Sequence, residues 1–361
     1  MKVVVFGATG VVGRAAAEHF SACPDWDVVA VSRRPVDLPG VVHVPVDLAD
    51  RDAAAAAVRS HLFAGTTHVV FAALQESTDL VSGWRDPDLM AHNLLLFRHA
   101  LEPLAAAHLG SLRHVSLLQG AKAYGLHLGR TPVPAKEREQ RDEHQNFYFL
   151  QEDALRGFAS GAPWSWTIMR PQVVLGESIG SPMNLLPAIG VYAAVERERG
   201  RSLRFPGGPP RVQEAVDARL LARALGWAAM APEARGEIFN VTNGDVFSWH
   251  DVWPAIAEEC GMEAGEPEPQ LLAETMPPRQ EEWAAIVDRY HLRSPREMAT
   301  FVGGSWIYAD ILFGSRSARA LPALLSTVKI RQAGFHECID TEDMFQEWLA
   351  RFQDRRLLPP R

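Results

Sequence analysis

The chain has 361 residues, 47% hydrophobic and 22% charged, ordinary values for a soluble globular protein and a length that suits two unequal domains. A net charge of -8 and a pI near 5.9 argue against a general nucleic-acid surface. Cys23, Cys260 and Cys338 lie too far apart for a zinc site or a disulfide framework and fit a reducing cytoplasm, and no apolar run reaches the roughly 18 residues of a membrane span.

The apolar start of the chain stops at Gly7 with no cleavage-like stretch after it, so it reads as a buried first strand. Residues 3–6, 28–31, 41–46, 68–73, 114–118 and 166–169 are short, β-branched and not strictly alternating, the pattern of strands buried on both faces. Between them, 11–20, 52–62 and 86–108 read as helices; the alanine run 53–57 is a packed helix rather than low complexity. This βαβα alternation predicts an α/β protein with a Rossmann-type, doubly wound parallel sheet. The alternation breaks after Pro171. Pro182, Pro187, Pro206, Pro209 and Pro210 crowd the next stretch, and 236–242 then reads as a strand ending in an Asn243-Gly244 turn. Residues 249–259, 283–290 and 341–352 look helical, 265–278 reads as an acidic surface loop, and the basic end 351–361 as a solvated tail. Trp249, Trp253, Trp283, Trp306, Tyr308, Phe313 and Phe335 predict a smaller aromatic-rich C-terminal lobe, whose rings either fill a core or face an apolar ligand. The expected partition is 1–171 with 211–245 for the dinucleotide-binding domain and 172–210 with 246–361 for the substrate lobe.

Gly7-Ala8-Thr9-Gly10-Val11-Val12-Gly13 follows the first strand and opens the first helix. Glycines there allow a tight turn and close approach of a pyrophosphate, which sits on the helix N-terminus. At the end of the second strand, Ser32, Arg33 and Arg34 stand where an NAD site carries an acidic residue; guanidinium forks suit a 2′-phosphate, which favours NADPH. Asp47-Leu48, after the third strand, either meets the adenine or starts a helix with Asp47 as its cap. Thirteen histidines form no HxxxH pair or cysteine–histidine cluster, so no metal is expected.

The remaining motifs are Leu117-Leu118-Gln119-Gly120-Ala121-Lys122-Ala123-Tyr124, Asn146-Phe147-Tyr148-Phe149-Leu150-Gln151-Glu152-Asp153, the segment from Trp164 to Pro171, and Asn240-Val241-Thr242-Asn243-Gly244-Asp245. On these, and on Gly7 to Gly13, the chain resembles the extended short-chain dehydrogenases/reductases, and more narrowly the progesterone 5β-reductase/iridoid synthase (PRISE) family. The resemblance runs through nearly the whole chain. It implies a catalytic Tyr148, with Glu152 where the wider superfamily keeps a lysine and Lys122 supplying the positive charge instead. Phe149, Gln119 and Ala123 depart from the family's Tyr, Thr and His. Tyr124 and Phe335 are candidate pocket walls. Glu152 reads as a structural helix residue, and Asn93 as core packing or a bridge between backbone groups.

What the resemblance implies is an NADPH-dependent enone reductase, cytoplasmic and homodimeric, acting on a small apolar substrate. Hydride addition to the β-carbon of an enone builds charge on the carbonyl oxygen, and a donor fixed there stabilises the transition state. A nearby ammonium strengthens a tyrosine donor. Two alternatives stay open: a sugar-nucleotide epimerase or dehydratase, and a non-catalytic NADPH-sensing protein.

Overall fold

The computed structural model describes residues 1–77, 79–129, 131–141, 143–315 and 323–361. Short apolar runs form β1 (Lys2–Phe6), β2 (Asp27–Ser32), β3 (Val41–Pro45), β4 (His68–Phe71), β5 (His114–Leu118) and β6 (Ser165–Pro171). With a last strand, Glu237–Val241, they make one parallel sheet in the order last strand, β6, β5, β4, β1, β2, β3. Strand order reverses between β1 and β4, and the crevice at the carboxyl ends of such a pair is where doubly wound sheets bind ligands.

The helices that flank the sheet are α1 (Val11–Ser21), α2 (Arg51–Val58), a short α3 (Leu80–Gly83), α4 (Pro87–Ala107) and α5 (Phe147–Ala159). Later in the chain come α6 (Leu185–Glu198), α7 (Ala218–Met230) and α8 (Trp249–Glu259). α1 packs beside α7, while α2, α4 and α5 form the row on the other face. Val4 and Phe6 of β1 point into that second row and meet Phe97, Leu101 and Leu155; Val3 and Val5 point the other way by strand alternation. The helix expected over 52–62 ends earlier, at Val58, with a separate turn at His61–Phe63, and Asp50 caps its start by accepting from the Ala53 N–H at 2.9 Å. Asp47 is therefore not its cap; its carboxylate accepts from the Ala49 N–H at 3.0 Å.

The chain divides into two compact units: Met1–Gln172, Ala218–Thr242 and Ala323–Glu337 form the first, and Val173–Asp217, Asn243–Pro322 and Cys338–Arg361 the second. This differs from the expected partition at four places, the smallest being Gln172, which joins the first unit. Residues 211–217 and 243–245 belong with the second unit, where Asn243 Oδ1 accepts from the Asp217 N–H at 2.7 Å. Residues 323–337 belong with the first, because the Ala135 N–H donates to Leu324 O at 2.8 Å and Lys329 Nζ donates to Ile238 O at 2.9 Å.

In the second unit, Trp249, Trp253 and Trp283 are core, each indole N–H bonded to a protein oxygen. The expected surface loop 265–278 buries Leu272 and Met276, and Asp310 holds it by accepting from the Leu272 and Ala273 amides. The expected tail is likewise docked: Leu357 and Leu358 are buried, and Leu358 fills space that Gly190 leaves on α6. No helix among the described residues is long and apolar enough to cross a membrane.

Candidate active site

The glycine loop fits a dinucleotide. Gly7 has φ +81°, and a Cβ there would come within 2.6 Å of the Ala73 amide at the end of β4. A Cβ on Gly13 would lie 2.2 Å from Gly7 O. Only glycine lets the loop fold this tightly onto α1, and the Gly7 N–H donates to Val31 O at 2.9 Å, tying it to β2. Gly10 caps α1 without a side chain, so the first-turn amides of Val11 and Val12 are presented, beside half-buried Thr9, as an anion site. At the end of β2, Ser32 Oγ donates to Arg34 O at 2.7 Å, and Arg33 and Arg34 are exposed. Arg14, one residue past the glycine loop, reaches Asp37 in the same β2 loop at 2.6 Å. Asp47 is exposed and Leu48 buried, both just past β3.

The second half of the site is built where α5 starts. Asn146 caps the helix: its Oδ1 accepts from the Tyr148 N–H and its Nδ2 donates to Lys122 O, each at 3.0 Å. One amide thus ties the tyrosine's helix to the lysine's loop. An asparagine before an apolar helical run is a readable cap signal, so Asn146 was within reach of sequence reasoning. Gln119 adds a second tie, donating to Tyr148 O at 3.0 Å. Tyr148 Oη needs the space left by Gly120, where a Cβ would come within 3.2 Å of it.

Lys122 Nζ lies 5.8 Å from the centroid of the Tyr148 ring, 4.8 Å from that of Trp84 and 3.3 Å from Glu76 Oε1, with its side chain 14% exposed. The amine therefore faces the phenol side of the site rather than bulk water. Burial pulls its pKa below the ordinary lysine value, and the charge of Glu76 opposes that pull. Asn93 fixes the loop after β4, accepting from the Gln75 N–H and donating to Gln75 O, each at 2.9 Å and without an intervening water. Glu76, Trp84, Asn93, Lys122, Asn146 and Phe147 line one cavity.

Glu152, one turn beyond Tyr148, is buried under guanidinium groups. Arg141 and Arg156 each reach its Oε1 at 2.9 Å, Arg170 lies 3.5 Å from Oε2, and Gln119 donates to Oε2 at 3.2 Å. Burial raises the carboxyl's pKa, but the bonds from Arg141 and Arg156 more than reverse this and hold it below the usual carboxylate range.

Two expected pocket walls sit elsewhere. Tyr124 is packed with Ala121, Ala135 and Leu325, and its hydroxyl donates to Asn240 Oδ1 at 2.7 Å. Phe335 is buried against Trp227 of α7, 5.8 Å between centroids, on the face of the sheet away from α5. Neither lines the Lys122 cavity. The wall beside Lys122 is made by Trp84 and Phe147. Glu76 and Trp84 carried no sequence signal, being a lone glutamate and a lone tryptophan in loop-like sequence.

Residues 52–352 match the family described as a PRISE-like Rossmann-fold domain. The chain belongs to this family. Among PRISE relatives, an Antirrhinum majus protein named (S)-8-oxocitronellyl enol synthase is 30% identical over 99% of this chain and 92% of its own. An Arabidopsis thaliana 3-oxo-Delta(4,5)-steroid 5-beta-reductase is also 30% identical, with the same shares covered. A solved UDP-glucose 4-epimerase from Thermotoga maritima, holding UDP-glucose, has a TM-score of 0.66 at 15% identity over 98% of this chain and 99% of that one. That likeness shows a shared fold alone.

Proposed function

We propose that this PRISE chain uses NADPH to reduce the activated C=C bond of an α,β-unsaturated carbonyl compound. The observation that carries the reading is the buried Lys122 ammonium beside the Tyr148 ring. Relatives named as a steroid 5-beta-reductase and an enol synthase support the substrate class. The second unit is assigned as the substrate lobe.

When bound, the nicotinamide supplies the hydride that reaches the β-carbon. The residues suited to hold NADPH are Gly7, Thr9, Gly10, Val11, Val12 and Gly13 at the pyrophosphate, with Ser32, Arg33 and Arg34 at the 2′-phosphate. Asp47 and Leu48 serve the adenine, and Lys122 and Tyr148 the nicotinamide ribose. Tyr148 donates its hydroxyl to the carbonyl oxygen, where charge gathers as the enolate forms. The Lys122 ammonium makes that phenol a stronger donor and adds its own field at the oxygen. Water supplies the proton that the α-carbon finally gains. Glu152, held by three arginines, offers no ammonium where an epimerase of this superfamily keeps one.

The test follows NADPH absorbance with cyclic enones, a saturated ketone and a sugar nucleotide, repeated with Tyr148→Phe and Lys122→Ala. Enone turnover that each substitution lowers about a hundredfold is expected. Turnover that survives both overturns the mechanism, and consumption of the saturated ketone alone overturns the reaction type.

A further inference from the structure

We propose that Glu76 is a positioning residue for this site: with the face of Trp84, its carboxylate holds the Lys122 ammonium in a cage against the Tyr148 ring. The inference rests on the role given to Lys122 above. The cage has three aromatic walls, Trp84, Tyr148 and Phe147, whose ring centroids lie 4.8, 5.8 and 5.9 Å from Nζ. Aromatic faces attract a cation through their quadrupole, more strongly when water is excluded. The fourth side is Glu76 Oε1 at 3.3 Å, on a side chain 5% exposed. Among the described residues, Lys122 is the one ion-pair partner of Glu76. A buried carboxylate needs such a partner, and a buried ammonium needs it equally. The carboxylate does not wander, because Asn93 clamps the backbone of the residue before it through both its amide atoms.

Two opposed effects follow from one carboxylate. It keeps the buried ammonium protonated, which maintains the positive charge next to the phenol as pH rises. It also offsets part of that charge at the phenol while both are ionised. Removing it therefore leaves a stronger field at low pH and an amine that loses its proton too early at high pH. The other titratable or charged groups at this place are Tyr148 on α5, His127 on the turn that follows Lys122, Arg85 beside Trp84, which donates to His127 O at 3.5 Å, and His144, whose ring meets that of His127. α4 contributes uncharged Leu89, Met90 and Asn93 to the cavity, and its one titratable group here is His92, whose ring bonds the Gln75 side chain, next to Glu76, at 3.1 Å.

The chain has only four lysines, Lys2, Lys122, Lys136 and Lys329, so labelled lysine resolves the Lys122 signal by NMR without any turnover. In Glu76→Gln the Lys122 titration should move to lower pH than in the wild type. Trp84→Leu should move it the same way by less, and serves if Glu76→Gln does not fold. The alkaline limb of kcat for a cyclic enone should follow. In Glu76→Gln, kcat at pH 9 relative to kcat at pH 6 is on the order of tenfold lower than the same ratio in the wild type, the factor that one pH unit of displacement gives. An unmoved Lys122 titration, or a loss of kcat by the same factor at every pH, overturns the inference. Lys122→Ala separates this from the mechanism. If it turns over enone like the wild type, the role of the lysine fails. If it is inactive while the Glu76→Gln titration is unmoved, only the role of Glu76 fails.

Discussion

Two buried carboxylates flank Tyr148, and they are satisfied in opposite ways. Glu152 meets three rigid guanidinium forks and an amide, while Glu76 meets one lysine among aromatic rings. The first arrangement spends its charge on fixing a helix, because planar forks saturate carboxylate oxygens and leave little field outside. The second keeps one ammonium at the edge of balance: burial lowers its pKa and a single counter-charge resists. Position 152 is thus a structural clamp, and in the proposed mechanism the positive charge enters from the Lys122 segment instead.

Four experiments sharpen or break this contrast. The largest effect is expected from Glu152→Lys, which restores the superfamily's residue type but sets an ammonium among three arginines. Stability should fall by about 4 kcal/mol or more, read as a lower denaturant midpoint, because it leaves buried like charges unpaired. A gain of activity at unchanged stability would show that Glu152 is no clamp.

A third buried polar site tests the comparison from the uncharged side. His68 and His114 are neighbours across β4 and β5, and burial lowers their pKa values to about 4 and about 3. The unfolded chain binds more protons than the folded one below the ordinary histidine value of about 6.5. Stability is therefore full above that pH and falls as pH drops toward 4 for His68 and toward 3 for His114. For His68 the loss is about 3 kcal/mol. Denaturant midpoints measured across this window should fall less in His68→Gln than in the wild type.

Tyr148→Phe should lower kcat about a hundredfold with little change in melting temperature, since it deletes one donor and no packing. A comparable loss of melting temperature would make Tyr148 a core residue instead. The smallest effect belongs to Asn146→Ala, which removes a helix cap worth about 1 kcal/mol. It should also raise KM for NADPH, because the tie from α5 to Lys122 O is cut.

The sheet was legible because seven short apolar runs carry their burial in local pattern, and Gly7 to Gly13 carry their signal in spacing. The roles proposed for Tyr148 and Lys122 come through family resemblance, and the cap at Asn146, which lies before an apolar helix, went unread. For Phe335 and Tyr124 an aromatic side chain announced burial without saying against what: the first meets Trp227 and the second Asn240. Glu76 was silent because its partner lies 46 residues away and no periodicity joins a loop carboxylate to a loop lysine. The end of the chain misled in the same way: its arginines advertise solvent, while Leu357 and Leu358 are buried between them.

The segment 323–337, which returns to pair with Ala135 and to reach the strand Glu237–Val241, means that neither unit is a continuous piece of polypeptide. A ribosome that has released only the first 242 residues has made every strand of the sheet, yet not the stretch that closes against its outermost one. Maturation of the nucleotide half must then wait for nearly the whole chain to emerge, and a gene fragment cut at residue 242 should yield a protein with an open, association-prone flank.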